Sequence, residues 1–131
     1  LGMQMLLETS EEFGIHKGLG IIPGKVCAIP STTSEGRPHK IPHIGWNTLV
    51  FQGRNAENED ILAGISQSEA MYFVHSYAAM PGSEAYRVAD CLYNGRRLSA
   101  VIRRGNTIGC QFHPEKSSVS GLKFLKNFCQ L

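Results

Sequence analysis

The 131-residue sequence has no cysteine pair at CxxC spacing, no GxSxG turn, no large excess of either charge and no long apolar run. Each absence closes a route. Cys27, Cys91, Cys110 and Cys129 lie far apart, which argues against a zinc site or disulfide framework and for reduced core thiols. A net charge of +2 is too mild to imply nucleic acid. No window approaches the roughly 18 apolar residues of a membrane span, and no charged region precedes the first apolar residues. The reading is therefore no membrane, no signal peptide and a cytoplasmic location. With 42% hydrophobic and 18% charged residues, the chain has an ordinary globular composition, and its length suits one domain.

What is present is a series of short apolar segments cut by glycine and proline. Met3, Leu6, Leu7 and Phe13, with Gly14 as a stop, predict an amphipathic helix over 1–13. No Ser, Thr, Asp or Asn stands ahead of it as a cap, so the reading expects a chain divided just before Leu1. Pro23-Gly24 separates two brief strands within 18–30, and the polar stretch 31–40 is expected to be a mobile loop. His43, the single tryptophan Trp46 and Asn47 cluster around Gly45. Composition alone makes this a bend whose tryptophan covers the core.

Strands are expected at 48–52, 70–77, 86–93 and 98–103, with an acidic surface loop over 55–60. Asn94-Gly95 is a strong hairpin signal and Arg104-Gly105-Asn106 a second turn, giving an antiparallel meander. Arg96, Arg97, Arg103 and Arg104 are read as solvated edge charges. Ser117 or Ser118 as N-cap, with Leu122, Leu125 and Phe128 on one face, predicts a helix over 119–130. Two helices bracketing a strand-rich middle imply an α/β layer architecture with antiparallel additions.

The chemistry concentrates in Thr107 to Ser117. Thr107 to Phe112 reads as a buried strand, and Pro114 holds His113 extended at its end. Glu115, two residues on, can accept one ring N–H and leave the other nitrogen as a general base. Cys110 points to the opposite face from His113, so it is neither the nucleophile nor a metal ligand with His113 and Glu115. A base and its orienting acid are thus present without a partner.

Two motifs supply that partner by resemblance. Leu1-Gly2-Met3-Gln4 resembles the tail of the GxCxGxQ nucleophile elbow of class I (triad) glutamine amidotransferases, whose cysteine would immediately precede Leu1. Gln111-Phe112-His113-Pro114-Glu115 resembles the motif that completes their Cys-His-Glu triad. The resemblance covers the whole chain and implies a flavodoxin-like fold with a mixed sheet, lacking the family's N-terminal strands, oxyanion loop and cysteine. It implies glutamine as substrate, catalytic roles for His113 and Glu115, an oxyanion donor at the Leu1 amide, and glutamine contacts from Gln4, Ser76 and Tyr77. No cofactor is implied.

Pro42 to Asn47 and Tyr72 to Tyr77 are similar to family members that pass ammonia to a cyclase or synthase subunit in histidine biosynthesis. On that likeness Trp46, Asn47, Tyr72 and Lys116 face the partner in a heterodimer, while His43 is structural. Supply of ammonia to a paralogous synthase of nucleotide-sugar amination, or a non-catalytic module if the chain is naturally complete, are the other roles open to the sequence. Without a nucleophile, these 131 residues alone are expected to be inactive.

Overall fold

The computed structural model describes residues 1–52 and 58–131. Its elements in chain order are α1 (Gly2–Met5), β1 (Thr9–Ser10), β2 (His16–Lys17), β3 (Gly24–Ala28), β4 (His43–Thr48) and β5 (Val50–Phe51). There follow β6 (Ala70–His75), β7 (Tyr77–Pro81), β8 (Arg87–Tyr93), β9 (Arg96–Arg104), β10 (Thr107–Cys110) and α2 (Ser118–Cys129). Single 3-10 turns occupy Glu84–Tyr86 and Pro114–Lys116.

Leu98 to Ile102 are buried without a break, the pattern of a strand covered on both faces. This run makes β9 the centre of an antiparallel sheet ordered β10-β9-β8-β5. The β8–β9 turn is tight because Asn94 and Gly95 both take positive φ, 50° and 82°, as a two-residue primed turn requires. A second sheet, β2-β1-β3-β7, contains a parallel pair, Thr9 opposite Lys25. The third is the antiparallel pair β4–β6, with His43 opposite His75 and Trp46 opposite Tyr72. The chain passes from β6 to β7 through Ser76 alone, so one strand serves two sheets and turns a corner there.

One side of β9 joins Phe73, Phe112 and Phe124, whose rings meet edge to face at 5.8 and 5.1 Å. The other core gathers Met3, Leu7, Ile22, Val26, Ala79 and Ile102. Two glycines let elements approach near the end of β10. A Cβ on Gly109 would lie 2.8 Å from Cγ of Met3, and one on Gly121 would lie 2.0 Å from the Pro114 carbonyl oxygen. These contacts set α1 on β10 and α2 against the turn that follows His113.

The mixed sheets with antiparallel strands agree with the expected architecture, but several elements differ. Only Gly2–Met5 is helical within 1–13. Thr9 and Ser10 instead pair with β2 and β3, and Phe13, 90% exposed with φ of 54°, has no core to face. The first expected strand within 18–30 is irregular, its Gly20 and Ile22 N–H groups bonding to Leu7 and Leu6 carbonyls. The bend at 41–47 is largely strand β4, and Trp46 is 56% exposed rather than a cover for the core. β10 stops at Cys110, two residues short.

In α2 the buried residues are Gly121 and Phe124, whereas Leu122, Leu125 and Phe128 are exposed. The expected face is reversed because the closest approach falls on a glycine, which contributes nothing to an apolar pattern. Of the acidic loop over 55–60, residues 55–57 lie outside the described residues.

Arg97 and Arg103 are ion-paired rather than merely solvated, while Arg96 donates to Thr32 and Arg104 to the Ile21 carbonyl. Asp90, fully buried in β8, accepts from Nε of Arg87 at 3.1 Å, from Nε of Arg97 and from Gln52 Nε2 at 2.5 Å. Arg97 also forks onto Glu84, and Arg103 reaches Asp60 at 2.7 Å. Removing a buried carboxylate strands the guanidinium groups packed on it. Asp90→Ala is therefore expected to cost about 3–5 kcal/mol in urea denaturation, far more than Glu84→Ala at the solvated end. A loss below about 1 kcal/mol for Asp90→Ala would show that its partners simply re-solvate.

Candidate active site

His113 stands where β10 has ended and the Pro114–Lys116 turn begins, with extended φ and ψ of −96° and 98°. Proline after it disfavours helical backbone at this residue. Its peptide is held from two sides. The His113 N–H donates to the Tyr72 carbonyl at 3.0 Å, and its carbonyl accepts from Ser117 Oγ at 2.6 Å. Ser117 Oγ also accepts the Tyr72 N–H at 2.9 Å. The expected N-cap serine thus makes no side-chain cap bond to α2. Its hydroxyl joins β6 to the histidine instead.

Nδ1 of His113 lies 2.9 Å from Oε1 of Glu115. An ionised carboxylate only accepts, so the shared proton resides on Nδ1 and leaves Nε2 unprotonated in the neutral ring. The contact comes from the 3-10 turn, not from the extended backbone expected of 113–115. The backbone N–H of Glu115 and then the His113 ring hold the Glu115 carboxyl below its usual range.

A cavity of about 600 Å³ opens beside this pair, lined by Leu1, Gln4, Ser76, Tyr77, Gln111 and His113 among others. Gln4, on α1, donates through Nε2 to the Tyr77 carbonyl and to Gln111 Oε1, both at 3.1 Å. The Ser76 carbonyl accepts the Ile29 N–H at 2.9 Å. The carbonyls of residues 76 and 77 are therefore already partly engaged inside the chain. Glu115 lies behind His113, outside the cavity wall.

Cys27, Cys91 and Cys110 are poor sources of a thiolate here. Cys110 lines the cavity, but burial pushes its thiol up to about 12, and Sγ rests 3.6 Å from the Phe112 carbonyl. Burial likewise raises Cys91 to about 12 and Cys27 above its ordinary value. Among the described residues no group of His, Cys, Asp and Glu could hold a metal ion.

Trp46, Asn47, Tyr72 and Lys116 lie away from the cavity wall. Trp46 and Tyr72 pair across β4–β6 with ring centroids 5.8 Å apart, and Asn47 donates to the Leu92 carbonyl at 2.9 Å.

The model of the family described as "Glutamine amidotransferase class-I" matches residues 1–131. The chain belongs to that family. It is 51% identical to the imidazole glycerol phosphate synthase subunit HisH 1 of Legionella pneumophila (strain Lens), an alignment covering all of this chain and 62% of that protein. The HisH subunit of Geobacillus sp. (strain WCH70) is 40% identical over all of this chain and 59% of its own length. That of Syntrophotalea carbinolica is 44% identical over 98% of this chain and 60% of its own. The chain thus spans about 60% of the length of these class I amidotransferase relatives.

Sequence reasoning missed two features at or near this candidate site. Gln111, 7% exposed, is a hydrogen-bond partner of Gln4. His43 and His75 form a buried pair, Nδ1 to Nε2 at 2.8 Å. His75 at the end of an apolar segment and His43 after Pro42 were both visible, but the register that opposes them was not.

Burial pushes His43 down to about 4, with His75 and then His39 adding to it, and burial lowers His75 as well. Unfolded histidines titrate near 6.5. The unfolded state therefore takes up protons before the folded one, so stability is full above about pH 6.5 and falls as pH drops towards about 4. Urea titrations at pH 7 and pH 5 are expected to differ by on the order of 2 kcal/mol, with less difference in His43→Gln. Equal stability at the two pH values would contradict neutral burial of the pair.

Proposed function

We propose that this chain forms part of a glutaminase that hydrolyses glutamine to glutamate and ammonia through a Cys-His-Glu triad. The observation that carries the reading is the His113–Glu115 contact at 2.9 Å beside a cavity shared with Leu1 and Gln4. The nucleophile is a cysteine standing immediately ahead of Leu1, as the elbow motif implies. His113 Nε2 removes its proton, and the thiolate attacks the carboxamide carbon of glutamine. The Leu1 N–H donates to the oxyanion that forms.

His113 then returns the proton to the nitrogen as the C–N bond breaks, releasing ammonia and leaving a glutamyl thioester. Water, deprotonated by His113, attacks that carbonyl, and the C–S bond breaks to give glutamate and the thiolate. Glu115 holds the ring in one orientation and favours its charged form in both steps. Because α1 has a single turn, its dipole gives the thiolate little beyond that turn's N–H groups. Gln4, with the backbone of Ser76 and Tyr77, binds the substrate.

The relatives' names and the Trp46-Asn47, Tyr72 and Lys116 positions support a heterodimer. In it the ammonia passes to a cyclase subunit that makes imidazole glycerol phosphate and AICAR in histidine biosynthesis. An exposed Trp packed on a Tyr is a suitable anchor for such an interface.

The residue encoded just ahead of Leu1 is expected to be cysteine; any other residue there sinks the triad. Protein carrying that cysteine, with its cyclase subunit, should release ammonia from glutamine, and His113→Asn should lower kcat by about 10³. The 131 residues alone should release none. Stimulation by the cyclase subunit, and not by a paralogous amination synthase, identifies the pathway.

A further inference from the structure

Asn47, His43 and His75 form a hydrogen-bonded chain whose direction is set at both ends by backbone carbonyls. At the inner end Nδ1 of His75 lies 2.9 Å from the Tyr77 carbonyl oxygen. That oxygen can only accept, so Nδ1 carries the proton and Nε2 of the neutral ring is an acceptor. Nε2 faces Nδ1 of His43 at 2.8 Å, which must then be the donor. His43 is left with a bare Nε2, and Asn47 Nδ2 points at it from 3.4 Å while also donating to the Leu92 carbonyl at 2.9 Å. Contact with that second carbonyl fixes which end of the Asn47 amide is the NH₂. Every proton in the chain therefore points inward, from Asn47 to Tyr77.

The two ends of this chain are different places. Asn47 sits beside Trp46, on the strand whose tryptophan is exposed against Tyr72. The Tyr77 carbonyl is the same oxygen that receives Gln4 Nε2 at 3.1 Å, and Gln4 lines the cavity with His113. Both rings between are almost fully buried, His43 at 3% and His75 at 7% exposed, and His43 is further stacked on Phe73. A buried chain satisfied at every link has one low-energy arrangement, so a shift at one end is passed to the other.

We propose that Asn47, His43 and His75 are positioning residues that set the Tyr77 carbonyl, and through it Gln4, in response to contact at the Trp46 edge. This rests on the glutaminase reading for its substrate, glutamine, but not for its geometry. A ring protonated on Nε2, or a cationic ring, breaks the chain by placing two donors face to face.

Two measurements on the full-length protein test it. The first is nitrogen NMR of ¹⁵N-histidine-labelled protein at pH 7, where both rings are expected as the Nδ1–H tautomer, the less common one in water. An Nε2–H or doubly protonated ring at either position overturns the proposal. The second compares His43→Leu with His43→Asn, whose amide N–H can replace the Nδ1 donor, and with Asn47→Ala at the half-buried outer end of the chain.

With the cyclase subunit present, His43→Leu is expected to raise KM for glutamine about 5- to 10-fold with kcat changed less, and His43→Asn to recover most of it. Asn47→Ala should shift the Gln4 side-chain amide resonances. A folded His43→Leu with unchanged KM, or an Asn47→Ala that leaves those resonances in place, refutes the coupling. A kcat loss without a KM change and without rescue by Asn would mean a merely structural role. If the unsubstituted complex fails to hydrolyse glutamine, the glutaminase reading falls, while the tautomers and the Gln4 resonances still decide the chain.

Discussion

The candidate site depends on one join, the three hydrogen bonds that tie the peptide of His113 to Tyr72 and Ser117. A histidine just past a strand's end and just before a proline has no ladder of its own to hold it. Here both its N–H and its carbonyl are satisfied, and the serine hydroxyl, 1% exposed, closes the circuit. Burying that hydroxyl is favourable only because it both donates and accepts. Tyr72 contributes its backbone to this join and its ring to Trp46. The exposed aromatic edge and the imidazole are thus separated by one residue of β6.

The parts legible in the sequence were those fixed by near neighbours. Pro114 restricts His113, Glu115 is two residues away, and Asn94-Gly95 demands a primed turn. Each of these is settled within a few residues. The strand expected over 98–103 followed from that turn, and the family motifs at either end of the chain placed the site.

What failed was decided by distant partners. Met3, Leu6 and Leu7 suit a long amphipathic helix and equally suit one turn followed by a loop that packs on β3. Thr9 and Ser10 chose the second by pairing with Lys25 and Val26, a register no local pattern carries. Arg97 looked like an edge charge because Asp90 lies buried seven residues back on the neighbouring strand. The His43–His75 pair needed both strands and their register. Even the His113–Glu115 contact, expected correctly, came from a 3-10 turn and not from the alternation used to anticipate it.

Gly121 gives the last element an uncommon constraint. Replacing a mid-helix glycine with alanine is a routine route to thermostability, worth up to about 1 kcal/mol of helix propensity. In α2 the added methyl would occupy the space of the Pro114 carbonyl, 2.0 Å away, and would press on the turn that begins at His113. Stability engineering and site geometry are in direct conflict at this position. A screen that selects only for heat resistance and repacks this helix would be choosing variants with a displaced imidazole.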